Sequence, residues 1–214
     1  MTTIITGANR GIGAGLLAAM AARGDDVIGT SRKATGDLVP CDVAQPDGLT
    51  PLVTALGARP LDLLVCNAGV YLDRGQKLDH GFPPEDWAAA FAVNVTGVFL
   101  TVQALLPALR KARGKIAIIS SQMGSDTRAP GGSYIYRASK AAVLNLGRNL
   151  AADLRHEGIA VGIYHPGWVQ TDMGGSGAEI TVETSVQGLI ARFDALDLHS
   201  TGSFLDYDGS SLPF

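Results

Sequence analysis

The sequence predicts an α/β fold: a doubly wound parallel sheet of about seven strands with helices on both faces. Three observations predict it. Short apolar runs alternate with longer helical patterns along the chain, which implies right-handed crossovers between parallel strands. The run at 61–66 is almost free of polar residues, as expected for a strand covered on both sheet faces. A cluster of glycines separates the first apolar run from the first helical pattern, where an open α/β sheet places its ligand.

The elements follow in order. Residues 3–6 read as a first strand, and residues 11–23 as a helix ended by Gly24. Strands are predicted at 27–31 and 38–41, a short helix at 47–56, and the apolar strand at 61–66. Pro84 opens a long helix reaching about residue 109, and a strand at 115–120 follows. A second long helix is expected over 134–156, a strand over 159–164, a helix over 182–196 and a last short strand over 203–206. Two long loops, 71–83 and 167–179, follow strands and are candidate walls of a substrate pocket.

Length and composition narrow the function classes. A chain of 214 residues suits one domain spanning 1–214, and 46% apolar against 17% charged residues excludes disorder. A net charge of −3 without long basic runs points away from nucleic acid. Cys41 and Cys66 sit in strand-like segments and read as buried thiols. No CxxC or HExxH spacing occurs, so no metal site is expected. Met1 leads almost directly into Ile4-Ile5 without a signal-peptide pattern, so a cytoplasmic location is expected. The uncharged stretch 87–109 is long enough to span a bilayer, but contains Asn94, Thr96, Gly97, Thr101, Gln103 and Pro107. It is expected to be a helix buried on most of its faces rather than a membrane span.

After the first strand comes Thr6-Gly7-Ala8-Asn9-Arg10-Gly11-Ile12-Gly13. Glycines permit unusual backbone angles and close approach to a phosphate, and the following helix offers free amides and a positive dipole end. A dinucleotide site specific for NAD would carry an acid at the end of the second strand, to hold the ribose hydroxyls. The sequence there is Gly29-Thr30-Ser31-Arg32, without an acid. Arg10 and Arg32 are suited to a 2′-phosphate instead, so NADP is expected in preference to NAD. Taken alone, Arg32 also fits a merely solvated cation.

Tyr136-Arg137-Ala138-Ser139-Lys140 places a phenol and an ammonium on one face of a helix. A free phenol has a pKa near 10, and a neighbouring ammonium is expected to lower it. Such a pair can exchange a proton with a carbonyl oxygen. Tyr134 is a poorer candidate, because its i+4 partner is Ala138.

These motifs together resemble the short-chain dehydrogenase/reductase family, whose nucleotide loop is TGxxxGxG and whose catalytic pair is YxxxK. The resemblance implies a Rossmann fold and further site residues. Asp42, in Cys41-Asp42-Val43, matches an Asp near the adenine. Cys66-Asn67-Ala68-Gly69 matches the NNAG motif around the cofactor, with Cys66 in place of its first Asn. Asn94, in Asn94-Val95-Thr96-Gly97, matches NVxG, whose Asn holds a water relaying protons to the Lys; a plain structural amide is the other reading of this residue. Pro166-Gly167-Trp168-Val169-Gln170-Thr171 matches PGxVxT beside the nicotinamide. Trp168 would line the substrate pocket or simply pack, and His165 reads as structural.

The family's catalytic Ser corresponds to Ser121 at the end of the fifth strand. The commonest spacing lands on Met123, but 124–133 carries a two-residue insertion, and Ser125 is the alternative. Gly131-Gly132-Ser133-Tyr134 and the ending Phe204-Leu205-Asp206-Tyr207-Asp208-Gly209 resemble the subgroup containing C-factor and Sniffer-type carbonyl reductases.

The resemblance implies an NADP-dependent oxidoreductase moving a hydride between nicotinamide and a carbonyl or secondary alcohol, with Tyr136 handling the proton. It also implies a homodimer paired through the helices at 87–109 and 134–156. The alternative is a catalytically weak nucleotide-binding regulatory or signalling protein of the same fold. An epimerase or dehydratase acting on a nucleotide sugar is a third reading, for which the chain is short.

Overall fold

A computed structural model describes residues 1–33, 35–45, 47–175 and 177–214. Seven strands form one sheet: β1 (Thr2–Ile5), β2 (Asp26–Ser31), β3 (Val39–Pro40), β4 (Leu63–Cys66), β5 (Lys115–Ile119), β6 (Ala160–His165) and β7 (Phe204–Asp206). Their order is β3-β2-β1-β4-β5-β6-β7, and every neighbouring pair is parallel. The order reverses between β1 and β4. A crevice opens there beyond the carboxyl ends of the strands, where such sheets bind ligands.

Alternation along the strands builds two cores. Ile4, Leu64, Cys66, Ile116, Ile118 and Val161 face one side of the sheet. They pack on α2 (Thr50–Leu56), α4 (Gly97–Ala112) and α5 (Tyr134–Leu154). Ile5, Leu63, Val65, Ala117 and Tyr164 face the other side, against α1 (Gly11–Ala22) and α6 (Val182–Ala195). Both faces of the central strands are therefore apolar, as their sequences require.

Several bounds differ from expectation. The third strand keeps two residues rather than four, and it ends on Pro40, which has no amide to donate to a ladder. The short helix begins at Thr50, not 47, with Pro51 in its first turn, where the missing amide costs nothing. The last strand starts one residue late, at Phe204.

The long helix from Pro84 differs most. It consists of α3 (Pro84–Phe91), a π-helical segment at Ala92–Thr96, and α4. The expectation that it is buried on most of its faces is corrected: only 39% of its most apolar stretch is buried. Val98, Val102, Leu105 and Leu109 cover the sheet on a single helical stripe, while Phe99 stands 41% exposed. The helix is long and apolar enough to cross a membrane, but its covered face belongs to the sheet core. Cys41 and Cys66 are buried free thiols, and burial pushes the Cys66 pKa up to about 12.

Candidate active site

A cavity of about 1040 Å³ occupies the crevice beyond β1 and β4. The glycine loop lines one part of it through Gly7, Asn9, Arg10, Gly11, Ile12 and Gly13. Two positions show why glycine is needed. Gly7 has φ +68°, and a Cβ on it would lie 2.9 Å from Ala68 Cα. A Cβ on Gly13 would lie 2.3 Å from the Gly7 carbonyl oxygen and 2.6 Å from Asn67 Nδ2.

Asn67 sits between these strands as a brace. Its Nδ2 donates to the carbonyls of Thr6 (2.9 Å) and Gly7 (3.1 Å). The Thr6 hydroxyl in turn accepts the amides of Asn67 and Ala68, each at 3.0 Å. The loop is thus fixed in a shape that leaves free backbone along the cavity, the arrangement a pyrophosphate requires.

Ser31, Arg32, Asp42, Asn67, Ala68 and Gly69 line the cavity as expected. Lys33, which the motif reading passed over, lines it beside Arg32 and places a second cation at the end of β2. Arg10 is already engaged: its Nη1 donates to Asp172 Oδ2 at 2.7 Å, and both side chains are exposed. Asp172 comes from the loop after β6 and also lines the cavity.

Tyr136 and Lys140 line the same cavity from α5. Both are buried, at 8% and 5% exposure. Lys140 Nζ lies 5.6 Å from the Tyr136 ring centroid and donates to the Ile119 carbonyl at 2.9 Å. Ser121 neighbours the Tyr136 phenol and acts to lower its pKa, and its hydroxyl accepts the amide of Met123 at 3.1 Å. Ser121 stands just beyond the end of β5 and does not itself line the cavity. Ser125 is engaged elsewhere, donating to the Phe214 carbonyl at 3.3 Å. Ser120 lines the cavity and donates to the Lys140 carbonyl at 3.0 Å.

The expectation that Lys140 lowers the Tyr136 pKa is corrected for the protein groups alone. Burial pushes the Tyr136 phenol up to about 12; Ser121 acts the other way, and Tyr71 adds to the rise. Burial pushes Lys140 down to about 8. Removal from water is the largest cause of both shifts.

Asn94 lies in the π-helical segment, 1% exposed. It does not line the cavity. Its Nδ2 donates to the Val70 carbonyl and to Ser139 Oγ, each at 2.9 Å, and its Oδ1 accepts the Val70 amide at 2.8 Å. The structure thus displays the bracing contacts of a structural amide. A Cβ on Gly69 would meet both Asn94 Oδ1 (3.4 Å) and Lys140 Nζ (3.6 Å), so the two border one small space.

Pro166 and Thr171 line the cavity; Gly167 and Val169 do not. Gly167, at φ +83°, packs toward Ile180 and Tyr207, and Val169 is buried in a bridge to Ile180. Trp168 is 46% exposed and donates its indole N–H to the Gly174 carbonyl. Arg74 donates to the same carbonyl at 3.1 Å, so the two loops named as pocket walls meet; Ser176 in the second loop lies outside the described residues.

Two residues absent from the motif reading stand beside Tyr136. The Tyr71 ring stacks on the Tyr136 ring at 4.3 Å and 19°. Asp73, 1% exposed, accepts the amides of Ile135 (2.8 Å) and Tyr136 (3.2 Å). No sequence motif marks either one.

The fold and the cavity define a doubly wound, Rossmann-like protein with a nucleotide-shaped cradle at its switch point. Residues 1–179 match the family model described as short chain dehydrogenase, and the chain belongs to that family. It is 39% identical over 160 residues to C-signal of Myxococcus xanthus, covering 72% of this chain and 93% of that one. Among solved structures, it is similar to an NADPH-bound carbonyl reductase from chicken fatty liver (TM-score 0.90, 30% identity, 100% of this chain and 98% of that one). It is similar also to the carbonyl reductase Sniffer of D. melanogaster (TM-score 0.91, 26% identity, 100% and 99%).

Proposed function

We propose that this protein is an NADP-dependent oxidoreductase that interconverts a carbonyl compound and the corresponding alcohol. One observation carries the reading. A single cavity runs from the glycine loop and the Arg32-Lys33 cations to Tyr136 and Lys140, joining a nucleotide cradle to a proton-exchanging pair. The NADPH bound in the chicken carbonyl reductase, similar over the whole chain, supports the choice of nucleotide.

The cradle fits the group on its own geometry: Gly7 and Gly13 let the loop pack against Ala68 and Asn67, where any Cβ would clash, so that its backbone lines the cavity, and no acid lines the cavity at the end of β2. Gly7, Gly11, Gly13 and the start of α1 would hold the pyrophosphate, and Arg32 with Lys33 the 2′-phosphate. Arg10 would join them after leaving Asp172. The nicotinamide nucleotide supplies or accepts the hydride.

The remaining chemistry belongs to the chain. With its pKa near 12, Tyr136 keeps its proton throughout the neutral range and can donate it to a carbonyl oxygen; in the reverse direction it takes one back. Ser121 orients that oxygen by hydrogen bonding. Lys140, at about 8, is cationic at neutral pH and favours negative charge on the phenol oxygen as the proton leaves. Asn94 holds Val70 and Ser139, and so keeps the Gly69 backbone and α5 in register around Lys140. The exposed stripe of α4 around Phe99 supports a homodimer paired through this helix and α5, which light scattering would test.

The test is titration of NADPH and NADH by nucleotide fluorescence, followed by turnover of aldehydes, ketones and quinones. Turnover with NADPH that disappears in Tyr136→Phe, with binding retained, is the expected result. Similarity to a protein named C-signal favours a second reading, a nucleotide-binding signalling protein. NADPH binding without turnover of any carbonyl would select it.

A further inference from the structure

We propose that Tyr71 and Asp73 are positioning residues for Tyr136, the first clamping its ring and the second pinning the helical turn that carries it. The proposal rests on the reading of Tyr136 as proton donor. It starts from a weakness in the fold. Tyr136 is the third residue of α5, and helix ends are where amides lack partners and structure opens first.

The residue at the cap position, Ser133, does not help. It has φ +49° and makes no capping bond, and its hydroxyl is bonded to that of Tyr71. Asp73 takes over from 62 residues away in sequence, accepting the Ile135 and Tyr136 amides that a local cap would hold. A carboxylate so deeply buried is costly unless it is paired, and here it faces the positive end of a 21-residue helix. The loop after β4 is therefore anchored on the first turn of α5.

Two residues before Asp73, Tyr71 lays its ring on that of Tyr136. Arg74 stands 5.5 Å from the Tyr71 ring centroid and is itself held by the Gly174 carbonyl. The Tyr136 ring is thus backed by a phenol and a guanidinium tied to the opposite loop. Swinging the ring away from Ser121 requires breaking this stack. Proton transfer tolerates little such motion, since a misplacement of about 1 Å can cost on the order of 100-fold in rate.

Three variants test the proposal: Tyr71→Leu removes the stack, Tyr71→Phe keeps the ring but loses the hydroxyl, and Asp73→Asn leaves one amide facing a donor. In Tyr71→Leu and Asp73→Asn, kcat is expected to fall roughly 10- to 100-fold while the Kd for NADPH stays within about twofold. Tyr71→Phe is expected to keep kcat within about twofold of the unaltered protein. Wild-type kcat in Tyr71→Leu would overturn the proposal, as would an equal loss in Tyr71→Phe, or a loss that tracks NADPH affinity.

A readout independent of turnover separates this from failure of the reductase reading. In protein labelled with 3-fluorotyrosine, the fluorine resonance of Tyr136 is identified by its loss in Tyr136→Phe. It is expected to move and broaden in Tyr71→Leu and in Asp73→Asn. An unmoved resonance refutes the proposal. A moved resonance in a protein that reduces no carbonyl refutes the reductase reading alone.

Discussion

Lys140→Met should make the nucleotide-free protein more stable at pH 7. Lys140 is an ammonium at 5% exposure, and burial brings its pKa from 10.5 to about 8. The folded value lies below the unfolded one. Between pH 8 and 10.5 the unfolded chain holds a proton that the native site has released, so wild-type stability rises with pH in that window. Below pH 8 both states are charged, and the fold carries the full cost, about 3 kcal/mol at about 1.4 kcal/mol per unit.

Methionine fills a similar volume without charge, but gives up the hydrogen bond to the Ile119 carbonyl, worth about 1 kcal/mol. The net gain at pH 7 is about 2 kcal/mol, a rise in Tm of about 4–8 °C for a chain of this size. The advantage should shrink by about 2 kcal/mol from pH 8 to pH 9.5, because only the wild type gains there. Denaturant melts of both proteins across that range, at equal concentration, measure it. Parallel pH profiles, or a less stable Lys140→Met at pH 7, would refute the claim that this lysine is held at the expense of the fold.

Three other outcomes follow from the same geometry. His165 is buried with an unpartnered Nδ1; burial, then Arg128 and Lys140, hold its pKa at about 4 against 6.5 unfolded. Stability is therefore lost as pH falls from 6.5 to 4, by up to about 3 kcal/mol, and His165→Gln should flatten that limb in acid melts. Gly13→Ala puts a methyl 2.3 Å from the Gly7 carbonyl oxygen, so NADPH binding followed by fluorescence should weaken by roughly 100-fold or more. Arg32→Ala should weaken NADPH roughly 10- to 100-fold while leaving NADH unchanged; an equal loss for both would remove the 2′-phosphate assignment.

What could be read from the sequence was whatever rests on local rules. Alternation along β4 and β5 and glycine in the loop after β1 are dictated by neighbours in the chain. The sheet and the cradle were legible for that reason. Ser121 follows the end of β5, a position that local strand patterning marks without a residue count across the insertion. The π-helical segment at Ala92–Thr96 was not legible, since one extra residue in a helical turn leaves no compositional mark. The open face of α4 is a different case. Hydropathy reports which residues prefer burial, while the chain alone does not show whether one sheet supplies enough surface to cover them.

The neighbourhood of Tyr136 shows where local reading stops. Tyr and Lys four apart predict a shared face, which the structure keeps, and a lowered phenol pKa, which it does not. The sign of that shift depends on how much water the fold removes, and Tyr71 contributes from a distant loop. Asp73 is harder still, because its partners are backbone amides that carry no sequence identity. A residue that caps another element from 62 positions away looks, in sequence, like any loop aspartate. The phenol–ammonium pair can therefore be named from one helix, whereas the groups that act on its proton affinity and pack against it come from the loop after β4 and the end of β5.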